Sequence, residues 1–305
     1  MNLIGISKLG SFVPSKMNME TRQIEKTSPL LDLNGESKMN HEAKYDSWSA
    51  GQNYEYYMGR WSRMIASKFL AWLAPPQAAD WLEIGCGTGA LTSGILQNCS
   101  PRSVLATDAS EDFLGHARSG INDPRASFKT ATAQELPAGD DSIDIVTSAL
   151  VLNFLPDRRA SLMEMQRVLR PGGVLSFYVW DYPGGGIGFI DAFWKAAASL
   201  DPKAADLDEG FRFPFCTTDG LAGLCAEAGI SDPAIAPIEV VTEFEDFEAF
   251  WHPFTLGAGP APGYCSNLGL EQRDRLKAQL YENLHVDGPV RLTAKAWAVK
   301  ALVNC

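Results

Sequence analysis

Residues 81–91, Trp81-Leu82-Glu83-Ile84-Gly85-Cys86-Gly87-Thr88-Gly89-Ala90-Leu91, restrict the fold more than any other stretch of this 305-residue chain. An apolar run reaches an acid, breaks into glycines at alternate positions and resumes with apolar periodicity, which reads as strand, tight loop and helix. Glycine in such a loop permits positive φ. It also lets a ligand reach main-chain N–H groups that a Cβ would shield, with a helix N-terminus directly behind. A bend of this kind is a nucleotide cradle.

The spacing Gly85-x-Gly87-x-x-Ala90 also satisfies the dinucleotide fingerprint, so the glycines alone do not choose the nucleotide. Two acids narrow the choice. Glu83 stands at the strand's end, where a carboxylate would repel a pyrophosphate but suits a ligand carrying an ammonium group. Asp108 closes the next strand-like run, 103–107, at about the 20-residue spacing expected of an acid that holds a ribose diol. Acid, glycines and acid describe an amino acid joined to a nucleoside.

On these residues the chain resembles the class I S-adenosylmethionine-dependent methyltransferases. Glu83-Ile-Gly-Cys-Gly-Thr-Gly89 is similar to their first motif. Thr107-Asp-Ala-Ser110, Ala131-Thr-Ala-Gln-Glu-Leu-Pro137, Asp141-Ser-Ile-Asp-Ile-Val-Thr-Ser148 and Leu169-Arg-Pro-Gly-Gly-Val-Leu175 follow in family order. The resemblance covers roughly residues 44–180 and is similar to the small-molecule branch that includes the quinone-biosynthesis methyltransferases.

The resemblance implies an α/β fold: a Rossmann-like, doubly wound sheet of seven strands, mostly parallel with one antiparallel strand. N-terminal helices and a helical lid inserted after strand five complete it. It implies S-adenosyl-L-methionine as cofactor, with Glu83 near the ammonium or the loop amides. Gly85, Cys86, Gly87, Thr88 and Gly89 would give close backbone approach, Asp108 and Ala109 would lie at the ribose, and Ala133 and Gln134 beside adenine. Thr132 occupies the place of the acid that the family usually has at the end of strand three. Ser148, Ala149 and Leu150 end strand four, where ligands of open parallel sheets bind, and so fall beside the transferable methyl. Asn153 takes a position where family members often carry His. Arg60 or Arg63, on a segment expected to cap the pocket, is the candidate partner of the cofactor's carboxylate.

With 26 Lys and Arg against 37 Asp and Glu, the formal net charge is −11, and no basic cluster stands out. That balance argues against a nucleic-acid surface and for a small-molecule substrate. Six scattered cysteines, without a Cys-x-x-Cys pair or His at metal-ligand spacing, fit no metal site and a reduced, cytoplasmic setting. The absence of an apolar run of about 18 residues or of a signal core argues against membrane insertion and secretion.

Four segments are expected. Residues 1–43 lack period and read as a disordered tail. Residues 44–78 form helices capping the cofactor site, 79–181 the cofactor-binding core, and 182–305 the lid or substrate segment with the closing strands. A methyl acceptor that must lose a proton profits from a base, and Asp181, just past strand five, is preferred over His252, Tyr57 and His285. Tyr57, Trp61, Trp180, Tyr182, Phe189, Phe193, Trp194, Phe250 and Trp251 point to a flat or lipophilic acceptor, methylated at O, N or C. Two other classes stay open: an NAD(P)-dependent oxidoreductase, which the glycine loop alone allows, and a cofactor-binding protein on the same scaffold with non-methyl chemistry.

Overall fold

Runs rich in Val, Ile, Leu and Thr alternate with helix-forming segments from residue 80 onward, and each such run pairs into a sheet. The computed structural model describes residues 52–257, 259–285 and 287–303. Its seven strands are β1 (Asp80–Ile84), β2 (Ser103–Asp108), β3 (Ala126–Thr130), β4 (Ile143–Ala149), β5 (Leu169–Trp180), β6 (Ala234–Phe244) and β7 (Val290–Leu302). They form one sheet in the order β3-β2-β1-β4-β5-β7-β6. Strands β1 to β5 pair in parallel, and β7 is inserted antiparallel between β5 and β6. This is the expected sheet, including its single reversed strand.

Helices α2 (Ala90–Asn98), α3 (Glu111–Gly120) and α4 (Arg158–Val168) pack against the parallel half. Beyond β5 come α5 (Gly188–Leu200), α6 (Glu209–Arg212), α7 (Thr218–Glu227), α8 (Phe247–Trp251), α9 (Pro260–Asn267) and α10 (Leu270–Leu284). Both sheet faces are covered, as parallel strands require. Trp81, Val104, Ile145 and Tyr178 contribute to one core, and Leu82, Val146, Leu175 and Phe177 to the other.

Local chemistry moves three boundaries away from the sequence pattern, which predicts a third strand over 128–133, a helix over 156–169 and a fifth strand over 174–180. The third strand ends at Thr130, because residues 131–135 peel off into a turn closed by Glu135 N–H donating to Thr132 O. Helix α4 begins at Arg158, since the Asp157 side chain accepts from Ala160 N–H and caps it. Strand β5 begins at Leu169 rather than after the Pro-Gly-Gly turn, with Arg170 ion-paired to Asp144 on β4.

Two helices were expected before the first strand, and residues 52–73 form one helical run instead. An α-turn (Gln52–Tyr54) continues through a π-helical segment (Glu55–Gly59) into α1 (Arg60–Leu73), which stops where Ala74 turns left-handed at φ 47° ahead of Pro75. The expected tail, 1–43, and the first residues of the expected cap, 44–51, lie outside the described residues.

The aromatic residues after β5 mostly fill core. Phe193 stacks on Phe254 with centroids 4.6 Å apart, Tyr57 meets Phe189 and Phe254 edge-on at 5.8 Å, and Phe244 packs on Phe250 at 5.2 Å. Such ring pairs add to what their buried area contributes.

Candidate active site

Strand order reverses between β1 and β4, and the crevice at a reversal point, outside the carboxyl ends of the strands, is where such sheets bind ligands. A cavity of about 410 Å³ lies there. Its lining comes from the bend after β1 (Gly85, Cys86, Gly87, Thr88, Ala90), the turn after β2 (Asp108, Ala109, Ser110, with Phe113), the end of β4 (Ala149, Leu150, Val151, Phe154) and the end of β5 (Trp180, Tyr182). Tyr54, Met58 and Ser62 of the 52–73 run close it from the side.

The three glycines of the bend, all at positive φ, do different work. A Cβ on Gly85 would fall 2.4 Å from the Val151 side chain, and one on Gly89 2.6 Å from Ile121 Cδ1, so both are bare for packing. Around Gly87 (φ 54°) nothing lies within 4 Å of that position, which leaves its backbone open to a ligand. Gly87 N–H donates to Asp108 Oδ2 at 2.9 Å, and Ser110 N–H donates to Oδ1 at 2.9 Å. A carboxylate held this way keeps lone pairs for hydroxyl donors. Leu150 sits at φ 60°, a strained conformation for a side-chain-bearing residue, with its N–H bonded to Tyr178 O at 2.9 Å.

Glu83 lies beneath the bend, fully buried and outside the lining. Its Oε2 accepts from Thr92 Oγ1 at 2.5 Å, while Oε1 has no hydrogen-bond partner among the described residues. Burial pushes its acid up to about 8, with the Thr92 bond opposing and Asp108 adding to the rise. Burial likewise raises the Cys86 thiol well above its ordinary range.

Thr88 Oγ1 donates to Glu55 Oε1 at 2.8 Å, and Glu55 also pairs with Arg63. The bend and the N-terminal helical run are therefore tied together, and Arg63 is engaged. Arg60 lies over the Trp61 ring at 4.1 Å and the Phe244 ring at 4.8 Å, and it does not reach the lining. Gly89, Ala133, Gln134 and Ser148 also fall outside the lining, Ala133 and Ser148 being buried and Ser148 adjoining lining residue Ala149. Ser148 Oγ has no hydrogen-bond partner among the described residues.

The residues considered for proton transfer scatter. Asp181 is 5% exposed, pairs with Lys295 Nζ at 3.0 Å and accepts from Gly184 N–H at 3.2 Å. Its carboxylate anchors the 182–186 turn, where a Cβ on Gly184 would meet Asp181 Oδ2 at 2.5 Å. His252 is exposed, edge-on to Tyr56 at 6.1 Å, and His285 is an exposed left-handed cap of α10. Tyr57 is buried among Phe189 and Phe254, its phenol raised well above the usual range, first by burial and then by Glu209 and Tyr182. Asn153 is 1% exposed in the turn Leu152–Phe154, and neither side-chain amide atom has a hydrogen-bond partner among the described residues.

Sequence reading placed this segment over the pocket but did not single out Tyr54, Met58 and Ser62, although their four-residue spacing was visible. It also missed Phe113, Val151 and Phe154, for which apolar identity gives no positional signal. Glu209 was missed as well: it is 2% exposed, its Oε2 accepts from Trp194 Nε1–H, and burial lifts it to about 7.

A nucleoside joined to an amino acid fits these residues. The open backbone at Gly87, the Asp108 carboxylate, and the apolar slot of Phe113, Leu150 and Val151 supply what ribose and base require, while Glu83 lies sealed below the lining. Among the described residues no group of three or more His, Cys, Asp or Glu is placed to hold a metal, and no helix is long and apolar enough to cross a membrane.

The methyltransferase-domain family matches residues 82–177. The chain is 35% identical over 133 residues to a biotin biosynthesis bifunctional protein of Bordetella avium, covering 42% of this chain and 28% of that one. It is 30% identical over 174 residues to a ubiquinone/menaquinone biosynthesis C-methyltransferase of Bartonella bacilliformis, covering 52% of this chain and 66% of that one. The chain thus spans less than two thirds of the first curated relatives it matches, 28% and 49% of their lengths. In fold it is similar to a Haemonchus contortus phosphoethanolamine N-methyltransferase solved with S-adenosyl-L-methionine, at TM-score 0.51 and 15% identity over 83% of this chain and 56% of that one.

Proposed function

Since the chain belongs to the class I S-adenosylmethionine-dependent methyltransferases, we propose that it transfers the cofactor's methyl group to a small, aromatic or lipophilic acceptor. The observation that carries the reading is the cavity at the β1/β4 reversal, with open backbone at Gly87 facing the Asp108 carboxylate and apolar walls around both. S-adenosylmethionine supplies a methyl already activated as a sulfonium. This chain's residues bind, orient and exclude water, which is most of what an in-line transfer needs.

In this reading Asp108 takes the ribose hydroxyls, and Gly87 with the N-terminus of α2 receives the amino-acid end. Phe113, Leu150 and Val151 hold the base, and Glu83, buried and bonded to Thr92, supports the bend from beneath. The strained Leu150 backbone fixes the wall beside the methyl. Residues 79–181 form the cofactor core, the described part of the expected cap, 52–78, closes it through Tyr54, Met58 and Ser62, and the segment after Asp181 supplies the acceptor side through Tyr182. Asn153, buried beside lining residue Phe154 and absent from the lining, is given no contact with the acceptor. Asp181 and His252 are given no catalytic role, the first because its carboxylate is held by Lys295 and Gly184, the second because it faces solvent.

The acceptor class follows from Trp180, Tyr182 and Phe154, which make the wall beyond the bend flat and apolar. Incubating the protein with methyl-labelled cofactor and a panel of phenols, quinone precursors and polyketide-like acids tests it. Label on flat, lipophilic acceptors is expected. Label confined to highly polar acceptors would sink that assignment.

A further inference from the structure

Helix α1 is fixed by its core, with Trp61, Ile65, Phe69 and Leu70 buried, and the anchor continues upstream to Tyr57, whose ring sits edge-on to Phe189 and Phe254. Ahead of Tyr57 the fastening changes. Asn53 and Tyr56 are exposed, and Tyr54 and Glu55 are half-buried. Asn53 Nδ2–H donates to Leu256 O at 3.0 Å and Tyr56 meets the His252 ring, whereas Tyr54 lies edge-on to Phe113 at 5.8 Å and Glu55 Oε1 accepts from Thr88 Oγ1 at 2.8 Å. Tyr54, Phe113 and Thr88 all line the cavity, so the last two contacts join the segment to α3 and to the glycine bend, both of which wall it.

Three features hold the Glu55 carboxylate at this contact. Its second oxygen pairs with Arg63, which fixes the direction of the first. Gly59 clears its path: φ −58° there is ordinary helix, so the backbone does not need glycine, and an added Cβ would run into the carboxylate. Arg60 N–H donates to Glu55 O, five residues back, and closes a π-turn of the kind that recurs at functional sites.

We propose that residues 53–56 form a flap hinged at Tyr57, and that the Glu55–Thr88 hydrogen bond is its latch, setting how fast the cofactor exchanges. The inference rests on the methyltransferase reading in taking the cavity's occupant to be S-adenosylmethionine or its demethylated product. With the latch made, Tyr54 stays against Phe113 and closes the side of the cavity; with it broken, Tyr54 swings out with Glu55 and opens a path to Gly87 and Asp108. Both partners of the bond belong to the protein, and the bond is the same in the free and the loaded chain. Its contribution therefore cancels from the affinity and remains in the barrier to entry and exit alike. One hydrogen bond to a carboxylate is weak enough to part on the timescale of lid motions and strong enough to slow exchange about tenfold.

The test follows radiolabelled S-adenosylhomocysteine onto and off the full chain by rapid mixing, for wild type, Glu55→Ala, Glu55→Gln and Gly59→Ala. Glu55→Ala is expected to raise the association and dissociation rates together by about tenfold and to leave Kd within about twofold of wild type. Glu55→Gln keeps an oxygen for Thr88 and should stay near wild type. Gly59→Ala favours the helix yet displaces the carboxylate, so exchange should quicken while the melting temperature holds or rises, a combination that a merely structural role does not produce. Combining Glu55→Ala with Thr88→Val should release ligand no faster than the quicker of the two alone, because both remove one bond. Wild-type rates in Glu55→Ala or Gly59→Ala, or additive effects in the combined variant, overturn the proposal. So does faster release with Kd weakened in proportion, since Glu55 would then hold the ligand and not the flap. Failure of wild type to bind S-adenosylhomocysteine would overturn the methyltransferase reading itself, before any variant is compared.

Discussion

Glu83 is the penultimate residue of β1 and Asp108 ends β2, on neighbouring strands, yet burial separates their chemistry. Asp108 lines the cavity with two backbone N–H donors on its oxygens, while Glu83 is sealed beneath with one oxygen unbonded. In the proposed function, Asp108→Ala removes the acceptor of two ribose hydroxyls. Hydrogen bonds to a charged group contribute about 1.5–3 kcal/mol each, so cofactor affinity should fall about 100-fold or more by calorimetry. Glu83 has a folded-state acid raised from 4.5 to about 8. Between those values the unfolded chain has released a proton that the folded protein keeps. Stability therefore falls as pH rises through that window, by up to about 1.4 kcal/mol per unit, and levels off above it. Glu83→Gln keeps an acceptor for Thr92 and carries no charge. In urea melts it should match wild type near pH 5 and exceed it by a few kcal/mol near pH 9. Equal stability at the higher pH would show that the carboxylate is not held as described.

At the scale of elements, the strand–bend–helix unit divides its glycines between packing and binding. Gly85→Ala drives a methyl into Val151 at positive φ and should lower the melting temperature by several degrees, about 2 kcal/mol or more. Gly87→Ala meets open space, so its stability loss should stay near about 1 kcal/mol while the methyl occupies the ligand's place and binding is lost. Thermal melts with and without S-adenosylhomocysteine separate the two. The bend was legible because alternate glycines after an apolar run have few uses, and Asp108 because of its distance from them. The π-helical segment was not. One extra residue per turn at Glu55–Gly59 leaves the apolar spacing helical on both sides and only shifts the phase between them. Glu209 left no trace either, since a single acid in an acid-rich stretch has no spacing to betray its burial. The aromatic stripe of α5 carried a correct period and an ambiguous destination: Phe193 and Trp194 pack into core, and only Trp180 and Tyr182 of the aromatic set expected at the acceptor reach the cavity.

For the molecule as a whole, one topological fact does most to place function. The order β3-β2-β1-β4-β5 reverses beside the glycine bend, so loops from β1, β2, β4 and β5 converge at one end of the sheet. The antiparallel β7, with eleven residue pairs to β6 from Phe244 to Ala234, widens the sheet beyond β5 and packs against α5, which carries part of the aromatic core. This architecture was readable from the motif order, which fixes strand sequence and hence pairing. The shape of the acceptor side was not, because it is built from tertiary contacts of residues 182–305 with no periodic signature. The account as a whole stands on the cavity's choice of nucleoside. Calorimetric titration of the intact protein with S-adenosylmethionine and, separately, with NAD measures that choice directly: saturable one-to-one heat with the first and none with the second is predicted, whereas no heat with S-adenosylmethionine, or saturable binding of NAD, would contradict it.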